Sequence, residues 1–470
     1  MTTVIANGTV VNATGATAAD VVIEGERIAA IVAPDSETAA VLRRSDAEVV
    51  DATGCYVVPG GVDVHVHLQL PMSPQATSSD DFATGTAAAA WGGTTTIIDF
   101  AGQLHGTRVR DAIDERHAEA AGQCAIDYGF HISMGDVHAD SLKELRAAID
   151  EGISSVKLFM AYPGAWYSDD GQILRAMQVA ADTGALVMMH AENGIAIDVL
   201  RAQAAEGGRL GSVWHGRTRP AELEGEATHR AIALAGVAGA PLYIVHLSAA
   251  DALAEVVAAR DRGRNVFAET CPQYLYLSLE EHLDQPGIDG LRHICSPPLR
   301  ARADGHQDTL WTGLRTDDLS VVSTDHCPFC DAEKLLGVDD FRDVPNGLGT
   351  IEHRMDLLHQ GVVTGEITLQ RWVDVCSTTP AGLFGLAGRK GVIAPGADAD
   401  LVVYDPTVTH TLGVDTHHMR IDNSVWEGHT VTGQARSVMS RGAFVVRDRT
   451  YVGRAGHGAY LQRGLPSPLR

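Results

Sequence analysis

Between residues 57 and 386 the chain repeats one pattern, in which a short and almost continuously apolar run precedes a longer, helix-compatible and Ala-rich segment. Strands that are apolar on both faces belong to parallel sheets covered by helices, and each parallel neighbour needs a crossover connection. Eight repeats in about 330 residues favour an α/β fold, a (β/α)8 TIM barrel with insertions. The predicted strands are residues 57–68, 94–101, 125–134, 155–162, 185–192, 241–248, 265–274 and 319–329.

A doubly wound open sheet is the alternative fold for such a pattern. That fold usually carries a Gly-rich phosphate loop directly after its first strand. Here the first predicted strand ends in His65-Val66-His67, and no Gly-rich loop follows it. We therefore favour the barrel.

Both chain ends contain short strand-like segments instead. Asn7-Gly8 predicts a hairpin turn between residues 3–6 and 9–11. Neither end is long enough to hold a core alone, so we expect residues 1–56 and 389–450 to form one small β-sandwich, with the barrel of residues 57–388 inserted between them. The other strands predicted in the two ends are residues 21–24, 27–32, 399–404, 437–440 and 443–447.

The charge balance limits the partners. The chain has 36 basic and 60 acidic residues, a formal charge of −24. Nucleic-acid backbones and anionic membrane surfaces bind basic surfaces, so neither nucleic acid nor a membrane is expected as a partner. Seven scattered cysteines argue against a disulfide framework, and no signal peptide is expected at the N-terminus. Both features favour the reducing cytoplasm.

Polar side chains stand at the carboxyl ends of several predicted strands, which in a barrel converge on the face that holds the active site. His65 and His67 are two residues apart on one strand, so their imidazoles point the same way and could chelate a metal ion. A single histidine is more often a surface or core residue. Four histidines and an aspartate at strand ends favour a metal site. The other candidates are Lys157, His190, His246 and Asp325.

Lysine is rare in this chain, which uses arginine for most of its basic residues, so each lysine is a candidate for a role that arginine cannot fill. Lys157 lies within the apolar run 156–160, where a buried ammonium tends to lose its proton. A neutral amine can react with CO₂ to give a carbamate that bridges two metal ions. An ion pair with Glu192 or Asp325 is the alternative. The four lysines are Lys143, Lys157, Lys334 and Lys390, and we expect the three besides Lys157 at the surface.

Several blocks of the chain, taken in order, resemble the dihydropyrimidinase/hydantoinase family of cyclic amidohydrolases, within the amidohydrolase superfamily. The resemblance covers nearly the whole chain. It rests on residues 59–67, 92–100, 155–162, 190–193, 245–248, 295–300, 324–329, 345–347 and 391–402.

This resemblance implies a metal-dependent enzyme with two divalent metal ions, most often Zn²⁺. Nitrogen and oxygen ligands of this kind also suit cobalt or manganese. The implied ligands are His65, His67 and Asp325 for one ion, His190 and His246 for the other, and carbamylated Lys157 as the bridge between them.

The resemblance also implies a mechanism, in which a hydroxide bridging the metals attacks the ring carbonyl and opens the ring to an N-carbamoyl amino acid. Asp325 would take the hydroxide's proton and pass it to the leaving ring nitrogen. Tyr162 would donate a hydrogen bond to the developing oxyanion. Backbone groups of Ser296 and Asn346 would hold the amide edge of the ring.

Three further residues fall where loops of the family contact the substituent of the substrate. Met72, Phe159 and Trp166 predict a roomy apolar pocket that accepts bulky 5-substituted hydantoins beside dihydropyrimidines.

Other members of the superfamily are the alternatives. Dihydroorotases place an arginine two residues after the second histidine of the pair, where this chain has Gln69. Tyr162 with the Ser296 and Asn346 blocks favours a hydantoinase over an allantoinase. A non-catalytic assembly or signalling relative would have lost metal ligands, whereas all six positions are intact here.

Residues 451–470 resemble the C-terminal arm of the family, which packs against a neighbouring subunit. The resemblance therefore implies an oligomerisation arm and a homotetramer or homodimer.

Overall fold

The computed structural model describes residues 2–467 of the chain. Met1 and residues 468–470, the last three of the predicted arm, lie outside the described residues. The strands are β1 Thr2–Asn12, β2 Gly15–Glu24, β3 Arg27–Val32, β4 Glu48–Asp51, β5 Tyr56–Pro59, β6 Gly61–Val66, β7 Pro71–Ser73, β8 Ala76–Thr77, β9 Thr94–Gln103, β10 Asp127–Met134, β11 Ser155–Phe159, β12 Leu186–His190, β13 Leu242–Ile244, β14 Val266–Thr270, β15 Val321–Val322, β16 Leu401–Thr411, β17 Thr430–Ser440, β18 Ala443–Arg447 and β19 Thr450–Tyr451.

Helices lie between most of these strands, and several follow the last barrel strand. They are α1 Glu37–Leu42, α2 Phe82–Trp91, α3 Val109–Ala120, α4 Ala139–Asp150, α5 Asp170–Thr183, α6 Gly194–Glu206, α7 Val213–Arg217, α8 Ala221–Ala238, α9 Ala250–Asp261, α10 Pro272–Tyr276, α11 Ile288–Arg292, α12 His306–Thr316, α13 Asp331–Lys334, α14 Arg354–Val363, α15 Leu369–Val373 and α16 Thr379–Leu383.

Eight strands form the barrel, in the order β6, β9, β10, β11, β12, β13, β14, β15. Every neighbouring pair in this order is parallel. The strands are almost entirely buried because one face meets the barrel interior and the other meets the helices. The predicted TIM barrel is confirmed. Its strands are shorter than the apolar runs, and the last predicted run keeps only Val321–Val322 as a strand.

The barrel is nearly closed where its last strand returns to its first. The backbone N–H of His67 donates to the carbonyl of His326 at 2.8 Å, and Val66 and His326 form a parallel bridge. The Asp63 carboxylate accepts from the Thr324 hydroxyl at 2.7 Å. These contacts bring the segment after β15 beside the histidines that end β6.

The two chain ends share one mixed sheet of nine strands, which confirms the small β domain built from both ends. Its order is β19, β18, β17, β16, β5, β1, β2, β3, and β4 pairs with the first half of β1, on the edge that β5 continues. Strand β5 joins the two halves, because it pairs with β1 on one side and with β16 on the other. A separate apolar core under this sheet includes Ile5, Val57 and Val403. The boundaries proposed for the domains stay a prediction.

The hairpin predicted at Asn7-Gly8 is wrong. Strand β1 runs through both residues, and its pairing with β2 shifts register between Ile5 and Gly8. Asn7 has a φ of 64°, which asparagine tolerates, and its N–H donates to the Asp20 carboxylate at 2.9 Å. The Asn-Gly pair therefore forms a β-bulge inside a strand, and the chain turns later, between Asn12 and Gly15.

The single strand predicted for residues 57–68 is also wrong, because it is two strands in different sheets. Strand β5 ends at Pro59, which has no N–H to continue a ladder. A side chain at Gly60 would bring its Cβ within 2.1 Å of the Thr95 hydroxyl, so only glycine allows the chain to pass there. Strand β6 then begins the barrel at Gly61.

The described part of the C-terminal tail lies against its own barrel. The N–H of Leu461 donates to the carbonyl of Tyr128 at 2.7 Å, and the N–H of Arg463 to that of Gly152 at 3.0 Å. The Arg463 guanidinium is buried and donates to the Ser155 hydroxyl. These contacts lie within one chain, so the oligomerisation arm stays a prediction.

None of the helices within residues 2–467 combines the length and the apolar character that crossing a membrane requires.

Candidate metal centre and active site

The carboxyl ends of the barrel strands surround a cavity of about 220 Å³. Every residue predicted for the site lines this cavity except His65, which is fully buried and contacts Asp325 and Lys157 in the cavity wall. The predicted residues that line it are His67, Met72, Lys157, Phe159, Tyr162, Trp166, His190, His246, Ser296, Asp325 and Asn346.

The histidine pair at the end of β6 faces Asp325, as strand geometry predicts for residues two apart. The Nε2 atoms of His65 and His67 each lie 3.2 Å from Oδ1 of Asp325. Asp325 has a φ of 50°, a left-handed conformation that is strained for this residue and common at functional sites. Burial raises the pKa of the Asp325 carboxyl, but electrostatic interactions with His65, His67 and Lys157 together lower it more strongly, to about 2. Asp325 is therefore an ionised carboxylate.

The second histidine pair faces the first. His190 ends β12, and His246 follows β13 with a φ of 38°. Their ring centroids are 4.4 Å apart, and the His246 ring is 5.4 Å from that of His65. Nε2–H of His190 donates to Glu192 at 2.7 Å, which leaves the Nδ1 lone pair of His190 for another partner.

The donor set fits a divalent metal ion. Nδ1 of His246 is buried and has no hydrogen-bond partner among residues 2–467. One ligand atom from each of His65, His246 and Asp325 lies within 4.8 Å of the other two. Burial lowers the pKa of His65 and His246 well below the usual histidine value, so both imidazoles are neutral, as metal binding requires. A His/Asp site suited to a metal is present in the described part of the chain.

Lys157 lies at the centre of this cluster and is 2% exposed. Its ammonium donates to Nε2 of His65 at 2.7 Å and lies 4.5 Å from the ring centroid of Phe100. Burial lowers the pKa of Lys157. Neither Glu192 nor Asp325 forms an ion pair with it in the described chain, so the simple ion pair considered as the alternative is absent from this structure.

One residue that contacts both histidine pairs was not among those predicted from the sequence. Glu269, on β14, is fully buried and accepts a hydrogen bond from Nδ1–H of His65. The same carboxylate accepts from the Tyr243 hydroxyl at 2.7 Å and from the backbone N–H of His246 at 3.2 Å. With its Nδ1 proton held, His65 presents the Nε2 lone pair to the cavity. A charged residue inside an apolar strand was the signal that singled out Lys157, and it was available for Glu269 as well.

Two loops form the polar rim of the cavity. Tyr162 has a φ of 61°, and burial raises the pKa of its phenol, so the hydroxyl stays protonated and can donate. The amide nitrogen of Asn346 donates to the Ser296 hydroxyl at 3.2 Å, which joins the loop after α11 to the loop before α14. Beyond Asn346, Gly347 has a φ of 150°, and a Cβ there would lie 2.2 Å from the carbonyl oxygen of Cys327.

An aromatic wall forms the rest of the cavity. The rings of Phe159 and Trp166 have centroids 5.4 Å apart. Two glycines make room for the indole, since a Cβ at Gly102 would lie 3.0 Å from Trp166 and one at Gly135 would lie 3.2 Å from it. Met72 also lines the cavity and is 42% exposed. The two glycines were not predicted from the sequence, because the space they leave for the indole depends on a contact between residues distant in sequence.

The surface position expected for three lysines is correct for Lys143 only, whose side chain is 77% exposed. Lys334 is 1% exposed and Lys390 is 3% exposed. Lys390 contacts the carboxylates of Asp127, Asp398 and Asp400 at 2.7–3.0 Å, on the opposite end of the barrel from the cavity. Charged and Gly-rich sequence neighbours did not reveal this burial, because the partners come from other elements.

Comparison with known proteins agrees with this geometry. The amidohydrolase family matches residues 56–445. The chain belongs to this family. Among relatives of this amidohydrolase, the D-hydantoinase of Streptomyces coelicolor is 54% identical over 462 residues, covering 98% of both chains. The D-phenylhydantoinase of Escherichia coli is 42% identical over 467 residues, covering 98% of both.

A solved structure extends the likeness to three dimensions. The crystal structure of a dihydropyrimidinase from Brevibacillus agri superimposes on this amidohydrolase with a TM-score of 0.96 at 46% identity, covering 100% of both chains. The hydantoinase-type family and the hydrolytic class predicted from the sequence blocks are confirmed.

Proposed function

We propose that this amidohydrolase opens 5-substituted hydantoins and dihydropyrimidines to N-carbamoyl amino acids. The observation that carries the proposal is one cavity in which three histidines, a lysine and an aspartate, backed by the buried His65, meet an aromatic wall and two backbone loops. Likeness to a D-hydantoinase, a D-phenylhydantoinase and a dihydropyrimidinase over the whole chain supports hydrolysis of cyclic amides.

The proposed cofactor is a pair of divalent metal ions, most often Zn²⁺ with ligands of this type. When bound, such ions lower the pKa of water and polarise a carbonyl group. The proposed ligands are His65, His67 and Asp325 for one ion, His190 and His246 for the other, and a carbamate on Lys157 between them.

Asp325 is the proposed proton carrier. Its ionised carboxylate lines the cavity beside both histidines of β6. It would accept one proton from the attacking water and deliver the same proton to the ring nitrogen as the carbon–nitrogen bond breaks. The ring nitrogen then leaves as a neutral group, and no other acid is needed.

Tyr162, Ser296 and Asn346 are the proposed ring contacts. The Tyr162 hydroxyl would donate to the carbonyl oxygen as negative charge develops on it. Ser296 and Asn346 line the cavity on two neighbouring loops, and their backbone groups would pair with the amide edge of the ring. These contacts orient the ring carbonyl toward the metal side of the cavity.

Met72, Phe159 and Trp166 form the proposed site for the substituent on ring carbon 5. An aromatic wall with a flexible thioether at its mouth suits a phenyl group. The names of both curated relatives specify the D enantiomer, and we extend that preference to this chain.

A substrate panel tests the proposal. The purified protein, supplied with Zn²⁺ and bicarbonate, is assayed with dihydrouracil, both enantiomers of 5-phenylhydantoin, allantoin and dihydroorotate, and the N-carbamoyl product is quantified. We expect D-5-phenylhydantoin to be opened at least as fast as dihydrouracil, and Asp325→Asn to abolish turnover. Absence of ring opening with every substrate would refute the enzyme function, and a much slower 5-phenylhydantoin would refute only the pocket.

We also propose a homotetramer or homodimer that works in the cytoplasm. Seven free cysteines, six of them buried, support a reducing compartment. Light scattering of the purified chain would test the assembly, and a monomeric mass would contradict it.

A further inference from the structure

Lys334 is a buried lysine that the proposed mechanism does not use. It ends α13 and is 1% exposed. All three of its hydrogen bonds go to backbone carbonyls, and none goes to a carboxylate within residues 2–467. A buried ammonium without a counter-charge is costly, so its position calls for a compensating role.

The three carbonyls belong to the two segments that form the polar rim of the cavity. The Lys334 ammonium donates to Ile294 at 3.0 Å, to Pro345 at 2.9 Å and to Gly347 at 2.8 Å. Ile294 precedes Cys295-Ser296, and Pro345 and Gly347 stand on either side of Asn346. The ammonium therefore joins the backbone of one proposed ring-binding loop to that of the other.

Other contacts leave these loops little freedom. The carbonyl of Ile294 also accepts the backbone N–H of Gly347 at 3.0 Å. The Asn346 side chain donates to the Ser296 hydroxyl. Since Gly347 already packs against Cys327, a shift of either loop would move the backbone groups of Ser296 and Asn346 relative to the metal ligands.

The chemistry of the site explains why lysine is kept in a chain that otherwise uses arginine. Three carbonyls converge on one point, and an ammonium carries three donors around a single nitrogen. A guanidinium is planar and longer, so it cannot place three donors at that point. Lys334 is thus a second position where the chemistry of lysine, and not only its charge, is required.

We infer that Lys334 is a positioning residue, which holds the Ser296 and Asn346 loops at the separation that the amide edge of the substrate ring needs. This inference rests on the proposed function. It predicts a contribution to binding of the ring, which all substrates share, and none to binding of the substituent.

The test uses Lys334→Met, which keeps the length of the side chain and removes the donors. We expect KM to rise about tenfold or more with a smaller change in kcat, because displaced loops weaken ring binding. The factor should be the same for unsubstituted hydantoin and D-5-phenylhydantoin. The KM of Lys334→Arg should be raised as well, because a guanidinium cannot replace the ammonium at this point. Metal content per chain should equal that of the unmodified protein.

Two lysines provide matched controls. Lys390→Met removes a buried lysine at the other end of the barrel, and Lys143→Met removes an exposed one. Lys390→Met is expected to lower stability without changing KM, which separates loop positioning from general destabilisation. Lys143→Met should change neither.

Hydrogen exchange tests the inference independently of activity. Peptides covering residues 292–300 and 344–350 should exchange faster in Lys334→Met and at the unmodified rate in Lys390→Met. Unchanged exchange in both peptides, or faster exchange with an unchanged KM, would overturn the inference. If the unmodified protein opens no ring, the proposed function fails, and the exchange rates still decide whether Lys334 joins the loops.

Discussion

At the scale of single residues, two of the proposed metal ligands, His65 and His190, are each oriented by a buried glutamate. Glu269 holds the Nδ1 proton of His65, and Glu192 holds the Nε2 proton of His190. Each imidazole is thereby left with one lone pair that faces the cavity, so the histidine tautomers are set before a metal binds.

Lys157→Ala should lose metal and activity together, because no other side chain can supply a bridging carbamate at this position. Metal content measured by elemental analysis and turnover of a hydantoin would both fall to near zero, and a short-chain carboxylic acid such as propionate would restore part of each. Lys143→Ala serves as the control on an exposed lysine. Full activity in Lys157→Ala would contradict the bridging role.

Glu269→Gln should weaken metal binding while the barrel stays folded. The amide keeps the shape of the carboxylate but removes the negative charge that supports His65, and loss of such a partner typically lowers metal affinity about 10–100-fold. Competition with a chelator would measure the affinity. An exposed carboxylate, Glu115→Gln, is the control. Equal affinities in both variants would show that Glu269 does not act on the metal site.

The pKa of Lys334 gives a stability prediction with a definite sign. Burial lowers it from 10.5 to about 8, against small opposing effects of Cys295 and Cys327. Between pH 8 and 10.5 the Lys334 side chain is mostly protonated in the unfolded chain and mostly neutral in the folded chain. The free energy of unfolding therefore rises with pH across this range, by ~3 kcal/mol in all. Denaturant unfolding from pH 7.5 to 10.5 should show this rise relative to Lys334→Met. A difference that does not change with pH would contradict it.

At the scale of elements, the aromatic wall of the cavity is built by three segments of the chain. The end of β9 and the segment after β10 contribute glycines, and the loop after β11 contributes Trp166. The indole can lie in the wall only because Gly102 and Gly135 have no side chains. The shape of the substituent pocket is therefore a property of three elements together.

Gly102→Ala should narrow the substituent pocket. The added methyl would lie 3.0 Å from the Trp166 ring and push it toward the cavity. We expect KM for D-5-phenylhydantoin to rise about tenfold and KM for dihydrouracil to change by less than about twofold. Steady-state kinetics with both substrates would measure this. Gly211→Ala, at an exposed glycine where a methyl group meets nothing within 4 Å, is the control for the substitution itself. Equal changes for both substrates would contradict the assignment of the wall to the substituent.

At the scale of the whole molecule, the barrel and the sheet from both chain ends meet around Lys390. Its ammonium joins Asp127, at the start of β10, to Asp398 and Asp400, just before β16. Nearby carboxylates raise the pKa of Lys390 despite its burial, so it stays charged. Arg441 adds a second cation on Asp127. This network connects the inserted barrel to the sheet that both ends build.

Lys390→Met should destabilise the protein by about 3–5 kcal/mol, because it leaves the buried Asp400 carboxylate without its cation, whereas Asp127 and Asp398 keep arginine partners. Denaturant unfolding would measure the loss. Lys143→Met, which removes an exposed i,i+3 ion pair, should leave the free energy of unfolding almost unchanged. Similar stability of the two variants would contradict a connecting role for the network.

The sequence was sufficient for the repeating architecture and for most of the residues of the proposed metal site. Eight apolar runs predicted the barrel strands, and histidines at strand ends predicted which side chains meet, because strand periodicity and the convergence of strand ends are general rules. Local turn signals were less reliable. The dipeptide Asn7-Gly8 is compatible with a β-bulge as well as with a hairpin turn, and only the strand that pairs with it distinguishes the two.

What the sequence alone determined was therefore the barrel, the cyclic-amidohydrolase family and the histidines, lysine and aspartate that come together at one cavity. Only the tertiary structure decided the roles of Glu269, Gly102, Lys334 and Lys390. Gly102, Lys334 and Lys390 have ordinary neighbours on the chain, Glu269 lies in an apolar strand, and each of the four acts through a contact with a distant element. Burial and hydrogen bonding depend on what the fold brings together, so three of the four lysines lie inside the protein, where one was expected.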